Sequence, residues 1–516
     1  MDAVDRRDRW SLVAVGIVAL GARLAVLPFA TSDGGDAPSK VWMASEWLSH
    51  PQLLTHGVWG PLHTYLIALA LWTVPDPVRA PVVMSLMFSV ASAVAMYWFL
   101  RTEVASRRAA LLVGLTYAVY PIAIRNGVSV RSETPFAFFL LLGMIALTRL
   151  RVRNGSIGLA VAAGLCLTLA SMLRYEAWML IPIFALLVPR SPRLLAVFLA
   201  CAVLHPIFWM IGNWLHNGDP FTGFTAAANW ELESMGRAQL DHRLRFFRAI
   251  TYPLVVLEGM SLPIGLICVA GAAVALVKRL RCAVWLLPLA GVLLMWSMGI
   301  ARGALVPKFN YTEVAGTLLF PFSAVVYQQL RIDWWPARRL VLAALALPLA
   351  SLVFSCRPCL ARLRLERLAG FSPIPRIENQ HLALALAESL QTELGVDESL
   401  VSDHYGWGVT QYVALLTRLP RSRIYLAPGA PNEQIDADSL AAFLTQHPCG
   451  VLIAETESRF SRRLELRPET RNAIAGKTSL RLLPTQEVAW PGRHPAILMV
   501  FRYSVRSDGD VCPPRE

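Results

Sequence analysis

Hydrophobic runs close to bilayer length recur along the first 356 residues, at about 10–30, 80–100, 109–125, 133–149, 157–173, 176–189, 194–212, 252–277, 282–300, 313–330 and 340–356. A helix rises about 1.5 Å per residue and the hydrocarbon core is roughly 30 Å thick, so these runs predict about eleven transmembrane helices. The stretch Pro61–Pro75 falls short, because the 13 residues between its two prolines reach only about 20 Å. It predicts an interfacial helix. The first run, Trp10–Ala30, is longer than the apolar core of a signal peptide and is followed by a whole membrane domain, which makes it a retained span.

From about residue 378 the pattern changes to alternating helical and strand-like runs: Ile377–Leu394, Ser399–Ser402, Ile424–Ala427, Ser439–Gln446, Val451–Ala454 and Ala496–Tyr503. They predict an α/β domain of about 140 residues. The expected fold is therefore mainly α, with a polytopic helical bundle over 1–356 and an extracytoplasmic α/β domain over 357–516. No GxGxxG, GxSxG or P-loop pattern opens a strand of that domain, so support or acceptor binding is expected of it, with catalysis placed elsewhere. No short-period repeat is present in either half.

Composition agrees with the bilayer as solvent: 55% of residues are hydrophobic and 16% charged, and the mean hydropathy is +0.48. The net charge is +13. Nearly all of that surplus lies before residue 357, without a compact basic run interleaved with aromatics, so it reflects topology and not a nucleic-acid partner. If 61–75 does not cross, the N-terminus, 101–108, 149–156, 190–193, 278–281 and 331–339 fall on one face, sharing 17 Lys and Arg against 5 acids. The opposite loops are near balance. The basic face is read as cytoplasmic, which puts the N-terminus inside and the loops 31–79 and 213–251, with the C-terminal domain, outside. A plasma or inner membrane is the expected home.

Cys166, Cys201, Cys268 and Cys282 lie in or beside apolar runs and read as small core residues. Cys356, Cys359, Cys449 and Cys512 fall in the C-terminal part, where disulfides can form if the compartment is oxidising.

Charged groups near a bilayer are costly and often functional. Three clusters share the outer face in this topology. The first is Asp33-Gly-Gly-Asp36-Ala-Pro-Ser-Lys40, continuing through Trp42, Glu46, Trp47 and His63. The second runs from Arg125-Asn126 to Arg131-Ser132-Glu133-Thr134-Pro135, and the third is Arg174-Tyr175-Glu176. A carboxylate beside several arginines suits general-base chemistry on a phosphate-bearing substrate, the acid taking a proton while guanidinium groups hold the anion.

The order of these motifs, with Arg23 late in the first span and Gly60-Pro61-Leu62-His63 returning to the membrane, resembles the GT-C class of lipid-linked-sugar glycosyltransferases. Within it the chain is similar to the glycosyltransferase family 39 group, which includes protein O-mannosyltransferases and aminoarabinose transferases. The resemblance covers roughly residues 10–260. It implies inverting transfer of one sugar from a polyprenyl-phosphate carrier, dolichyl or undecaprenyl, to an extracytoplasmic protein, lipid or glycan. Asp36 resembles the base, with Asp33 competing for that role, and Glu133 takes the place of the second acid. Arg174 with Tyr175 resembles the pair that meets the lipid phosphate, and Glu176 and His63 are expected among the substrate-binding residues. Lys40, Arg131, Arg302 and Lys308 are further phosphate candidates from sign and side. No cofactor is implied, and the first loop holds no compact metal-ligand set. The rival readings are a lipid-linked oligosaccharide ligase or polymerase, a lipid flippase or transporter, and an assembly subunit.

Overall fold

The computed structural model describes residues 6–29, 37–330 and 378–505, apart from internal stretches at 104–105, 153–154, 235–241, 306–308, 396, 404–408, 428–436, 457, 476–477 and 491–495, with isolated positions between 336 and 346. Most of the run 340–356 lies outside these residues, as do Cys356, Cys359 and Cys512.

Helix α1 (Arg6–Val26) has Asp8 in its first turn and Arg23 in its last, each opposite in sign to the helix-dipole end it meets. The first loop carries α2 (Ala37–Ser49) and α3 (Pro61–Thr73). Helix α3 starts on its proline, where a missing N–H costs nothing. Then come α4 (Arg79–Glu103), α5 (Arg107–Ala118) and α6 (Pro121–Gly127). Ser106 caps α5 by accepting from the Ala109 N–H at 3.3 Å, and Pro121 interrupts the backbone ladder so that α5 and α6 bend by 54°. Helices α7 (Glu133–Val152), α8 (Ile157–Ser171) and α9 (Glu176–Leu187) follow, then α10 (Pro192–Ala202) and α11 (Leu204–Asn217), bent by 41°. The rest of the bundle is α12 (Thr222–Ser234), α13 (His242–Gly259), α14 (Leu262–Val277), α15 (Leu286–Arg302), α16 (Thr312–Leu319) and α17 (Ser323–Gln329).

Among the described residues, 4 helices are long and apolar enough to cross a membrane, or up to 7 if each bent pair is one span. The expected straight spans differ from this in four places, two of them the bends within runs 109–125 and 194–212 given above. Run 252–277 is broken where α13 and α14 meet at 110°, at Ser261 with φ 67 and ψ 137, and Pro263 removes an N–H that would have bonded back across the break. Run 313–330 is divided by a 3-10 turn, Phe320–Phe322, centred on Pro321.

Beside an apolar core, side-chain placement departs from that of a water-soluble bundle at both ends of the scale. Ile17, Trp72, Leu186, Leu215 and Val277 are 65% to 82% exposed, while Arg23, Glu133, Glu176, Glu313 and Asn213 are buried. Apolar outside and polar inside is the arrangement a hydrocarbon solvent selects. Between helices, van der Waals contact must replace the hydrophobic drive, so small residues sit where backbones approach. At Gly164 a Cβ would strike Cys201 and the Phe198 carbonyl, and at Gly259 it would strike the Thr312 hydroxyl at the head of α16.

The C-terminal half builds a sheet of six strands, β1 (Ser399–Ser402), β2 (Ile424–Leu426), β3 (Cys449–Glu455), β4 (Asn472–Ala475), β5 (Thr478–Trp490) and β6 (Ala496–Val505), in the order β2-β1-β3-β6-β5-β4. The first three are parallel and joined by helices Val409–Leu416 and Ala437–Gln446, and the last three are antiparallel. Strand β1 is buried at every position, as expected of a parallel strand covered on both faces. Cys449 is disulfide-bonded.

Contacts divide the chain into two compact units. One comprises Met1–Ala30, Gln52–Leu66 and Val82–Pro375; the other comprises Thr31–Pro51, Ile67–Pro81 and Arg376–Glu516. Helix α2 therefore belongs with the sheet domain. Within that unit Arg421 stacks on Trp42 at 4.3 Å and donates to Glu46 at 2.8 Å, Ser39 donates to Gln411 at 3.0 Å, and Arg418 pairs with Asp76 at 3.4 Å.

Candidate active site

Besides α1, three described helices of the membrane unit open with an acid in the first turn: Glu133 on α7, Glu176 on α9 and Glu313 on α16. The positive end of each helix dipole favours a carboxylate there by about 0.3–1 kcal/mol. Arg174, in the turn between α8 and α9, sits between two of them. Its Nη1 lies 2.9 Å from Glu133 Oε1, and its Nη2 and Nε lie 2.6 and 3.1 Å from Glu176 Oε1. The Tyr311 ring lies 4.5 Å from the guanidinium carbon, and Trp296 Nε1 donates to Glu176 Oε1 at 3.3 Å. The side chains of Arg174, Glu133 and Glu176 are 12%, 3% and 8% exposed. Burial works against the Arg174 charge, but the Glu176 and Glu133 carboxylates outweigh it and hold the guanidinium pKa well above its ordinary value.

A second layer of amides fixes this pair. Asn310 Nδ2 donates to Glu133 Oε1. Asn126 Nδ2 donates to the Asn310 carbonyl at 3.1 Å and to Glu313 Oε2 at 2.7 Å, and Thr134 Oγ1 donates to the same oxygen at 3.3 Å. Asn126 is carried there by α6, whose angle is set at the Pro121 bend. The end of α5 leaves carbonyls without helical donors. Arg23 Nη1 donates to one of them, Ala118 O, at 2.6 Å, and Arg23 Nε donates to Ser89 Oγ, which donates to Ala123 O at 2.8 Å.

Chemically, the centre is a guanidinium clamped by two carboxylates at converging helix N-termini. Such a guanidinium can exchange one carboxylate for another oxyanion of matching geometry, phosphate foremost.

The chain is similar in structure to solved proteins. It aligns with ArnT from Cupriavidus metallidurans bound to undecaprenyl phosphate, with a TM-score of 0.60 and 13% identity, covering 95% of this chain and 97% of that one. The apo state of the same ArnT aligns with a TM-score of 0.58 and 13% identity, over the same shares of both chains. The fold is of the GT-C type. The archaeal oligosaccharyltransferase AglB from Archaeoglobus fulgidus, in complex with an inhibitory peptide and a dolichol-phosphate, aligns at a TM-score of 0.49 and 12% identity over 89% of this chain and 70% of that one. By sequence, no protein family and no curated protein matches the chain.

Within the GT-C fold the remaining predicted residues fall in separate places. Asp33, Asp36 and Lys308 lie outside the described residues. Lys40 is buried on α2, in the unit that contains the sheet domain. His63 is buried in the first turn of α3. Arg131 is half-buried before α7, its N–H donating to Ser129 O at 2.9 Å. Arg302 ends α15, exposed, and its carbonyl accepts from Arg245 at 3.4 Å. Tyr175 turns away from Arg174: its hydroxyl donates to Val58 O at 2.9 Å and accepts from Trp209, its ring packs 4.2 Å from Phe224, and burial raises its phenol pKa. The aromatic beneath Arg174 is Tyr311.

Asn310, Tyr311, Trp296 and Glu313 were not among the predicted site residues. The sequence carries a signal for three of them, because Asn310-Tyr-Thr-Glu313 puts an acid and an amide at the head of an apolar run, and none for Trp296.

Proposed function

We propose that the chain is an inverting glycosyltransferase that moves a monosaccharide from a polyprenyl phosphate to an acceptor hydroxyl or amine outside the cytoplasm. The observation that carries this reading is a buried Arg174, held by Glu133 and Glu176 at converging helix ends, in a fold shared over nearly the whole chain with an ArnT solved with undecaprenyl phosphate. In this reading Asp36, or Asp33, takes the acceptor's proton as its oxygen or nitrogen attacks the anomeric carbon. The bond from that carbon to the phosphate oxygen breaks, and polyprenyl phosphate leaves with both electrons. Arg174 exchanges a carboxylate for the departing phosphate and stabilises its charge, while Glu133 and Asn310 keep the guanidinium aimed.

The arrangement in the membrane goes with this reading: N-terminus in the cytoplasm, reaction and sheet domain outside. A disulfide at Cys449 suits an oxidising compartment. The sheet domain is assigned to support or acceptor binding.

The test is turnover of a panel of polyprenyl-phosphate monosaccharides by purified protein in nanodiscs, beside Asp36→Asn, Asp33→Asn and Glu133→Gln. Consumption of one donor, lost in one aspartate variant that still folds, is the expected outcome. Consumption of a lipid-linked oligosaccharide alone, or its movement across the bilayer without cleavage, would replace this reading with the ligase or the flippase.

A further inference from the structure

Glu313 is fully buried, and its second oxygen, Oε1, finds no hydrogen-bond partner among the described residues. Leaving a buried acceptor unmade costs about 1–3 kcal/mol, and an ionisable group at membrane depth costs more. What this carboxyl holds is specific: its Oε2 takes one proton of the Asn126 amide, and the other proton of that amide goes to the Asn310 carbonyl. The turn Phe309–Tyr311 is thereby tied at its middle residue. The same turn supplies the Asn310 side chain to Glu133 and the Tyr311 ring to Arg174. Glu313 meets this turn through Asn126, and the Thr134 hydroxyl on the same oxygen joins it to the head of α7 beside Glu133.

We propose that Glu313 and Asn126 are positioning residues for the Glu133–Arg174 pair, acting by fixing the 309–311 turn that presents Asn310 and Tyr311 to it. Its consequence for turnover rests on the transferase reading, but its geometric part does not. Gln at 313 keeps an acceptor for Asn126 and Thr134, whereas Leu removes it. Ala at 126 removes the link from the other side.

The closing experiment reads the pair itself. The full-length protein and its Glu313→Gln, Glu313→Leu and Asn126→Ala variants are treated with phenylglyoxal, and modification of each arginine is followed by peptide mass spectrometry. Donor turnover is measured in parallel. Arg174 is expected to stay protected in wild type and in Glu313→Gln, and to react about tenfold faster in Glu313→Leu and Asn126→Ala. In those two variants kcat falls about tenfold while KM holds. In an Asn310→Ala background, Glu313→Leu adds less to either readout than it does alone, because the arm from the turn to Glu133 is already gone and only Tyr311 is left to carry the effect. Unchanged protection of Arg174 in both disrupting variants would overturn the proposal. So would an equal rise at Arg101, whose pairing with Asp8 at 3.0 Å lies outside the network and reports general loosening. If the modification pattern appears but wild type turns over no donor, the positioning stands and the transferase reading falls.

Discussion

Arg174 concentrates the energetics of the site in one side chain. Two carboxylates depend on it, and both are buried with it. Truncation to alanine would leave them facing each other in a low dielectric, which costs about 3–5 kcal/mol where a buried pair is broken from one side. Arg174→Ala is therefore expected to unfold well below wild type in a detergent thermal melt. Arg174→Lys should recover only part of the loss, because an ammonium lacks the planar fork that reaches Glu133 with one nitrogen and Glu176 with two. Glu133→Gln should be milder, since an amide still accepts from Arg174 and Asn310. Another single residue sets a pH response. His56 stacks on His216 at 3.6 Å, and burial together with its neighbour lowers its pKa below the ordinary 6.5. A base whose folded pKa is depressed binds fewer protons folded than unfolded, so its contribution is complete above about pH 6.5 and is lost as pH falls below it. Hydrogen exchange over 52–60, corrected for intrinsic rates, should accelerate between pH 7.5 and pH 5.5 in wild type and lose that dependence in His56→Asn.

Helices as units obey the hydrophobic pattern except where backbone chemistry intervenes. At the α13–α14 break, Ser261 holds φ 67 and ψ 137, a region that glycine enters freely and a β-carbon resists. Ser261→Gly should raise stability by roughly 1 kcal/mol, read as a higher melting temperature, and an unchanged melt would mean that the bend carries no strain. This break also shows what the sequence left illegible. A run such as 252–277 is apolar throughout, and hydropathy has no component that distinguishes a straight span from two helices meeting at 110°. The α/β texture was legible because short apolar strands alternate with helices at recognisable spacing through β3, and Ser399–Ser402 falls on β1 residue for residue. The hairpin β4–β5 was illegible because Thr478–Trp490 mixes Arg, Pro, Gln and Glu into the strand and blurs its alternation, although its partners β4 and β6 are its neighbours in the chain. In the site, Glu133, Arg174 and Glu176 could be singled out as charges at helix ends. That Tyr311 and not Tyr175 lies under Arg174 depends on how α16 packs, and no local spacing carries that information.

At the scale of the molecule, the chain is divided near residue 376, where its pattern changes, and again within the first loop, where hydrophobicity gives no sign of it. Helix α2 follows the aspartates of the first loop directly in sequence, yet it packs in one unit with strands more than 340 residues later. Arg421 is the principal tie: it stacks on the buried Trp42, donates to Glu46 and donates to the Ile424 carbonyl. A cation over an indole contributes about 0.5–2 kcal/mol, and the half-exposed ion pair adds little to it. Arg421→Ala is expected to make 37–49 more sensitive to limited proteolysis while the β-sheet stays intact, and Arg421→Lys to restore part of the protection.

The discontinuity of that unit sets the rule for recombining this protein with another of its shape. A crossover placed near residue 357 would leave Trp42 under a foreign surface and Arg421 over a foreign helix. A functional chimera has to inherit three segments from one parent, 31–51, 67–81 and 376–516, with the spans between them from the other.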